Sequence, residues 1–164
     1  MVLAIVAALT SMAVPPMHRL LNRSQLQVAQ LDFIAALMHA REAAVTSGRR
    51  TLLCPSRDGR RCSGTMRWDH GWLLAHDRDG DHQPDSTALY VGHAYKAGLT
   101  ILGSVRRRYV RFGPDGSASG SNLTLLFCSE NPAEQALSVV VSNAGRVRSS
   151  PASKHQAAIC AAAS

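Results

Sequence analysis

Acidic side chains alternate along one segment of the 164-residue chain, in a pattern that calcium-binding loops use. Asp77, Asp79 and Asp81 are spaced two apart as in an EF-hand, but His82 replaces the glycine expected after the third aspartate. Ala88 stands at the twelfth position, where an EF-hand has a glutamate, so that calcium cage cannot close. We therefore expect an aspartate-rich hairpin turn and no metal.

Other residue types that could support catalysis lack the neighbours they would need. His70, His76 and His82 recur every six residues, and no rigid element obviously carries all three as a zinc site. The chain has no GxSxG nucleophile elbow and no GxxxxGK[ST] phosphate loop. We expect no enzyme activity, no cofactor and no small-molecule substrate.

The sharpest binding motif is Gly145-Arg146-Val147-Arg148, which follows a predicted turn at Asn143. If Val147 packs inward from a strand, Arg146 and Arg148 share the outer face about 6.6 Å apart. That separation is comparable with the spacing of neighbouring phosphates on one strand of nucleic acid. Because guanidinium groups bind phosphate through forked pairs of hydrogen bonds, the motif predicts phosphate contacts.

Further phosphate contacts could come from basic side chains elsewhere in the chain, namely Arg106, Arg107, Arg108, Arg111 and Lys96. The arginines lie in or beside a predicted strand over residues 107–112. Val110 and Phe112 share one face of this strand, so Arg111 and Arg107 should point the other way. An alternative stays open: these arginines form a solvated strand face whose charge prevents edge pairing.

The overall charge agrees with a polyanionic partner. The chain carries 18 lysines and arginines against 11 acidic residues, a net charge of +7. An acidic segment at residues 69–85 lies between two basic parts, from which a polyanion would approach. With 46% apolar residues, the chain suits one ordinary folded domain and not a disordered tail.

Four cysteines indicate the compartment: Cys54, Cys62, Cys128 and Cys160. No CxxC occurs, so a zinc ribbon or a thioredoxin-type motif is unsupported, and two disulfides in an oxidising compartment fit better. Three pairings are possible. We favour Cys54–Cys62, which closes a turn-like loop, together with Cys128–Cys160. The alternative is four free thiols in a cytosolic protein.

The N-terminal elements begin with residues 1–14, which carry no charge. As a helix they would span about 21 Å, short of the roughly 30 Å of bilayer hydrocarbon. A secretory signal and a buried core helix are the alternatives. After an interruption at Pro15-Pro16, a second helical pattern reaches about Ser47 and ends at Gly48. Its mostly apolar stripe comprises Leu20, Ser24, Val28, Leu31, Ala35, Met38, Glu42 and Val45.

Beyond residue 50, alternating patterns and turn signals replace the helical one. They predict strands over residues 51–54, 66–75, 89–93, 100–102, 107–112, 123–128, 137–142 and 146–149. One helix followed by an antiparallel sheet is an α+β fold, in which the second half of the helix packs against the sheet.

Five motifs follow one another in a distinctive order along the chain. They are AREAAVTSGRR at 40–50, LLCPSRDGRRC at 52–62, WDHGWLLAHDRDGDHQPD at 68–85, VRFGPDGSASG at 110–120 and VVVSNAGRVRSS at 139–150. With the apolar start ending in proline, they resemble the GspH/FimT family of type IV pilin-like proteins. The resemblance implies a pilin-like fold, with residues 1–48 as the N-terminal helix, its first part in the membrane, and residues 49–164 as a β-rich head.

One departure from the family concerns the N-terminus. The family starts with a processed leader followed by Phe, Thr or Ser, Leu, Ile and Glu, which this sequence lacks. The resemblance therefore implies that the chain begins inside the helix, beyond the cleavage site, the methylated N-terminus and the assembly glutamate.

The resemblance also implies a function. In FimT-type minor pilins a GRxR motif is associated with DNA binding during natural transformation, and Gly145, Arg146 and Arg148 match it. We expect a DNA-binding minor pilin of a type IV pilus, without sequence preference. Its helix would hold it in the inner membrane, head in the periplasm, and would pack against other pilins after assembly. The alternative is a structural minor pilin or type II secretion pseudopilin that initiates or caps a filament.

Overall fold

The computed structural model describes residues 2–104, 106–130 and 135–163, with side chains described from residue 21 onward. The side chains of the apolar run at 1–14 thus lie outside the described part. The elements are α1 (Val2–Ser47), β1 (Thr51–Pro55), β2 (Trp72–His76), β3 (Tyr90–Gly92), β4 (Leu99–Gly103), β5 (Val110–Phe112), β6 (Leu123–Ser129), β7 (Leu137–Val141), β8 (Val147–Pro151) and α2 (Lys154–Ala163).

The first helix is continuous, so the predicted interruption at Pro15-Pro16 is wrong. Each proline removes a backbone donor, but the fixed φ of proline is itself helical, and the backbone continues through both residues. The predicted end is confirmed. Gly48 follows the last helical residue with a φ of +63°, the left-handed conformation of a C′ glycine.

The face of α1 that packs on the head differs from the predicted stripe. The buried residues are Leu26, Ala29, Phe33, Ala36, Leu37, Ala40 and Ala44, whereas Val28, Leu31, Met38 and Val45 of the stripe are exposed. Both sets recur at three- and four-residue steps, so periodicity alone cannot distinguish them. The size of the side chains determines which face is buried, because the four alanines allow the helix to approach the sheets closely enough for Phe33 to enter the core.

The α+β class is confirmed, and the antiparallel head consists of two four-stranded sheets. The first sheet has the order β3-β2-β1-β5 and the second has the order β4-β6-β7-β8. Helix α1 contacts strands of both sheets. Phe33 lies at their junction, with its ring centroid 5.8 Å from those of Trp68 and Trp72 and 5.6 Å from that of Phe127. One aromatic core therefore joins the helix and both sheets.

Two predicted strands were wrong in extent, and one helix was not predicted. The predicted strand at 66–75 is a strand only from Trp72, because Gly71 turns the chain with a φ of +115°. The predicted strand at 107–112 is reduced to Val110–Phe112, so Arg107 lies before the strand. The C-terminal helix α2 was not predicted. Its Cys160 packs with Leu126 and Cys128 in a small separate cluster.

Both expected disulfides are present, Cys54–Cys62 and Cys128–Cys160. The first closes a loop in which the Asp58 carboxylate accepts the backbone N–H groups of Arg60 and Arg61. The second holds α2 against β6, an inner strand of the second sheet. Two surface segments that bury little apolar area are thus fixed covalently to strands.

Candidate nucleic-acid interface

The β7–β8 hairpin positions the two arginines of the GRVR motif. Its strands pair antiparallel, with Val141 opposite Val147 and Val140 opposite Arg148. The turn is closed by the Gly145 N–H, which donates to the Ser142 carbonyl at 2.8 Å. The Ser142 N–H donates in turn to the Arg146 carbonyl at 3.0 Å. The turn predicted at residues 143–145 is therefore formed.

Glycine is required at position 145 for two reasons. Its φ of +73° is left-handed, and a β-carbon there would lie 2.0 Å from the carbonyl oxygen of Gly116. The hairpin is also joined to the preceding loop by the Ala118 N–H, which donates to the Asn143 carbonyl at 2.9 Å. The motif glycine therefore sets where the hairpin lies against the loop after β5.

Arg146 and Arg148 project from this hairpin into solvent. Both are exposed, while Val147 between them is partly buried against the main core. Strand β8 is an edge of the second sheet. Among the described residues, neither guanidinium has a hydrogen bond or an ion pair, so both remain available to a ligand. Arg148 lies on β8, whereas Arg146 immediately precedes its first residue, Val147, so the strand predicted over residues 146–149 begins one residue later than expected.

A groove runs between α1 and this hairpin, and we call it the helix–hairpin groove. It encloses about 600 Å³. Its helix side is formed by Ile34, Met38, Arg41, Glu42, Val45 and Thr46, and its other side by Gly145, Arg146, Val147 and Arg148. The floor is apolar and the rim carries three arginines against one carboxylate. Such a groove suits an anionic ligand that also presents an apolar surface.

The charges around the groove are partly engaged. Arg41 donates through Nε to the Gly116 carbonyl at 3.1 Å, which supports the same loop that Gly145 touches. Glu42 is exposed and lies 3.7 Å from the ring of His39. In the neighbouring loop, hydrogen bonds from the Ser117 backbone N–H and hydroxyl hold the pKa of Asp115 below its ordinary value. Glu42, which lines the groove, therefore opposes an approaching phosphate.

The other predicted basic residues divide into two groups. Arg107 is engaged, since its guanidinium donates to the Gly120 carbonyl at 2.7 Å and to the Asn122 side chain at 3.2 Å. Arg106 and Arg108 are exposed. Arg111 is half-buried on β5, an edge of the first sheet, and its backbone N–H donates to Ser121. The loop at 113–122 connects this cluster to the hairpin.

Lys96 is not brought to the hairpin. It lines a separate small pocket with Ser24, Gln25 and Val28 of α1. Gln25 and Met38, one from each pocket, are about 20 Å apart along the helix axis. A single short phosphate contact surface therefore does not include both Lys96 and the arginine pair.

Sequence patterns missed Arg41 and the groove itself. Arg41 lies within the motif at 40–50, but its role depends on packing between α1 and a loop 75 residues later in the chain. No local pattern reports such a contact. The one sequence feature that could have linked Arg41 with the two hairpin arginines is their shared positive charge.

The sequence matches the family model described as type II transport protein GspH over residues 29–145. The chain belongs to the GspH family. The match includes the C-terminal part of α1 (residues 29–47), strands β1 to β7 and Gly145, but not β8. It ends just before Arg146 and Arg148.

Two solved structures share the fold of this GspH-family chain. The type IV minor pilin FimU of Pseudomonas aeruginosa is 21% identical, with a TM-score of 0.64 over 79% of this chain and 90% of that one. The minor pseudopilin EpsH of the Vibrio cholerae type 2 secretion system is 14% identical, with a TM-score of 0.55 over 77% of this chain and 97% of that one. No curated protein matches the sequence.

The family and the fold place the GspH-family chain in the class of minor pilins and pseudopilins. The resemblance expected from the sequence motifs is thereby confirmed. Within the part of the chain that the structure describes, no helix has a stretch long and apolar enough to span a bilayer.

Proposed function

We propose that this GspH-family protein is a DNA-binding minor pilin of a type IV pilus, which captures extracellular DNA for uptake in natural transformation. The observation that carries the proposal is the pair of exposed guanidinium groups of Arg146 and Arg148, which have no protein partner among the described residues. The core does not require arginine at either position, because Val147 alone packs inward.

The binding would be electrostatic and independent of sequence. Two arginines on a β-edge can each form forked hydrogen bonds with a phosphate, which carries no information about the base. Helix α1 packs lengthwise on both sheets and α2 packs against β6, so the proposed contacts come from the hairpin and not from a helix. The net charge of +7 would assist the encounter at a distance.

Arg106, Arg108 and Arg111 are secondary candidates for phosphate contacts in this proposal. Because the loop at 113–122 contacts both Arg111 on β5 and the hairpin, a DNA strand could extend from Arg148 toward Arg111 and the exposed arginines before β5. Arg107 and Lys96 contribute less, the first because it holds the loop and the second because it lies far along α1.

The proposal includes the location of the protein. Residues 1–48 would anchor the chain in the inner membrane and later pack against other pilins, and residues 49–164 would form the head in the periplasm or on the pilus. Two disulfides suit that oxidising environment. The proposal involves no catalysis and no cofactor.

The experiment is a gel shift of the purified protein with short DNA duplexes of two unrelated sequences. The wild type should bind both, and Arg146→Gln/Arg148→Gln should bind at least tenfold more weakly at low salt. The matched control is Arg60→Gln/Arg61→Gln, which removes two exposed charges from the Cys54–Cys62 loop. If the control weakens binding as much as the pair does, net charge alone is responsible and the proposed site is wrong.

A second candidate function is that of a structural subunit that initiates or caps a filament, in a pilus or in type II secretion. The family description and the likeness to EpsH favour it. It predicts no DNA binding by the wild type, together with full filament assembly by the Arg146→Gln/Arg148→Gln variant. The two readouts separate the candidates.

A further inference from the structure

Three carboxylates meet in the loop between β2 and β3. Asp77, Asp79 and Asp85 each offer an oxygen, and these atoms all lie within 4.8 Å of one another. Oxygens that bind one calcium ion at 2.3–2.6 Å are at most about 5.2 Å apart, so this separation is compatible with a shared ion. Without a cation, three like charges this close would repel each other.

A second observation concerns Asp77 alone. Its side chain is fully buried, and its Oδ2 has no hydrogen-bond donor. This oxygen lies 3.7 Å from Nδ1 of His82, which also lacks a hydrogen bond. An ionised carboxylate oxygen without a partner is costly to bury, so this position requires a compensating charge.

Each of the three carboxylates uses one oxygen to hold the loop. Asp77 Oδ1 accepts the Gly80 N–H at 2.9 Å, and Asp79 Oδ1 accepts the Asp81 N–H at 3.2 Å. Asp85 Oδ2 accepts the Arg78 N–H. Within the described part of the chain, the second oxygen of each carboxylate accepts no hydrogen bond. The loop is thereby shaped by one set of oxygens while another set remains for a ligand.

We propose that the loop at residues 77–85 binds a divalent cation of the calcium class through Asp77, Asp79 and Asp85. An all-oxygen set of carboxylates suits Ca²⁺, and backbone carbonyls and water would supply the remaining ligands of its six to eight. The site is not an EF-hand, because Asp85 at the ninth position takes the role that a glutamate has at the twelfth. The sequence-based expectation of no metal considered only the EF-hand spacing.

One basic side chain competes with the ion. Arg78 Nε lies 4.0 Å from Asp85 Oδ2, but the Arg78 side chain is 56% exposed and can turn toward solvent. The loop is otherwise anchored, since Gln83 Oε1 accepts the Cys62 N–H at 3.0 Å. His82 Nε2 lies 3.0 Å from the Tyr109 hydroxyl. A bound ion would therefore fix the loop to the first sheet and its disulfide.

The test uses the full chain, stripped with a chelator and titrated with CaCl₂ by calorimetry and by thermal unfolding. We expect one equivalent of Ca²⁺ to bind and to raise the Tm by several degrees, because an ion that binds only the folded state stabilises it. MgCl₂ at the same concentration should do less, since Mg²⁺ requires a stricter octahedral geometry. No heat and no Tm shift up to millimolar Ca²⁺ would overturn the proposal.

Variants locate the site. Asp79→Asn and Asp85→Asn should each weaken Ca²⁺ binding at least tenfold while leaving the Tm in chelator unchanged or higher, because charge repulsion is relieved. Asp81→Asn is the matched control, since Asp81 is exposed and outside the trio, and asparagine preserves the acceptor for the Gln83 N–H. Equal weakening in all three variants would indicate a diffuse counterion effect and contradict the site, as would full binding by Asp79→Asn.

Discussion

Gly145 and Gly116 touch backbone to backbone, since a β-carbon on Gly145 would lie 2.0 Å from the Gly116 carbonyl oxygen. The same oxygen accepts the Nε–H of Arg41 at 3.1 Å. The hairpin that carries Arg146 and Arg148 is therefore held against a loop that is itself bound to α1. The position of the two arginines therefore depends on tertiary contacts between the hairpin, the loop at 113–122 and α1.

Gly145→Ala should destabilise the protein by about 2–4 kcal/mol, because the new methyl group collides with backbone and the left-handed φ adds strain. Chemical denaturation monitored by circular dichroism measures the change. Gly120→Ala is the control, since Gly120 has a similar φ of +74° but open space where its β-carbon would lie. It should cost only about 1 kcal/mol. Equal losses in both variants would mean that the close contact contributes nothing.

The class of fold and the Cys54–Cys62 disulfide could be predicted from the sequence because their signals are local, whereas Cys128–Cys160, whose cysteines are 32 residues apart, was the pair that remained. Gly48 ends a helix by its own conformational freedom, and the Cys54–Cys62 loop contains its own turn. The buried face of α1 could not be predicted, because Val28 and Leu31 repeat with the same period as Leu26 and Ala29. Which face is buried depends on the fit of small alanines against two sheets that lie far along the chain.

The candidate site also has one part that the sequence predicts and another that depends on tertiary packing. Arg146 and Arg148 form a local motif on a hairpin, and their outward direction follows from alternation around Val147. The contribution of Arg41 and the engagement of Arg107 by Gly120 arise from tertiary packing. The alternating pattern assigned Arg107 to a strand that in the structure begins only at Val110. Because of that error, the Arg107 side chain was predicted to be exposed and available to phosphate.

The ion pair between the buried Asp69 and the partly exposed Arg67 gives a prediction about pH. Asp69 is buried and receives two hydrogen bonds from Arg67, at 2.8 and 2.9 Å, and one from the Ile101 N–H at 3.2 Å. Burial alone would raise the pKa of Asp69, but these donors outweigh it and hold the pKa below the ordinary value of 3.8. The stabilisation is therefore fully present above pH 3.8 and is lost as the pH falls through the lower, folded-state value.

Asp69→Asn should accordingly reduce the free energy of unfolding by about 1–3 kcal/mol at neutral pH, a moderate loss because Arg67 is 42% exposed and can be hydrated. The difference between wild type and variant should shrink on acidification below pH 3.8. Urea denaturation at a series of pH values measures it. A constant difference down to pH 2 would contradict the depressed pKa.

The two disulfides should differ in their contributions. In a chain-entropy account, the 32-residue separation of Cys128 and Cys160 is worth about 3.7 kcal/mol and the 8-residue separation of Cys54 and Cys62 about 2.5 kcal/mol. Paired alanine variants compared by denaturation test this order. The Cys128→Ala/Cys160→Ala variant should also lose hydrogen-exchange protection in α2. A larger loss from the shorter loop would contradict the account.

Glu42 should weaken DNA binding in the wild type, since it is the one carboxylate lining the helix–hairpin groove. Glu42→Gln should tighten DNA binding two- to fivefold at low salt, because a charge repelling phosphate is removed. Glu130→Gln is the control of equal charge, located at the end of β6 away from the groove. Fluorescence anisotropy with labelled DNA measures both. If both substitutions strengthen binding equally, DNA does not lie along the groove.

The last prediction concerns salt. Each phosphate contact releases condensed counterions, so the logarithm of the binding constant falls linearly with the logarithm of salt concentration, by about 0.9 per contact on duplex DNA. If Arg146 and Arg148 each hold one phosphate, Arg146→Gln/Arg148→Gln should flatten that slope by about 1.8. Arg60→Gln/Arg61→Gln removes the same charge elsewhere and should change the slope much less. Arg41→Gln should lower the free energy of unfolding and leave the salt slope nearly unchanged, because the Arg41 side chain is bound to the Gly116 carbonyl. A slope unchanged by the loss of both hairpin arginines would show that neither contacts a phosphate, whatever the effect on affinity.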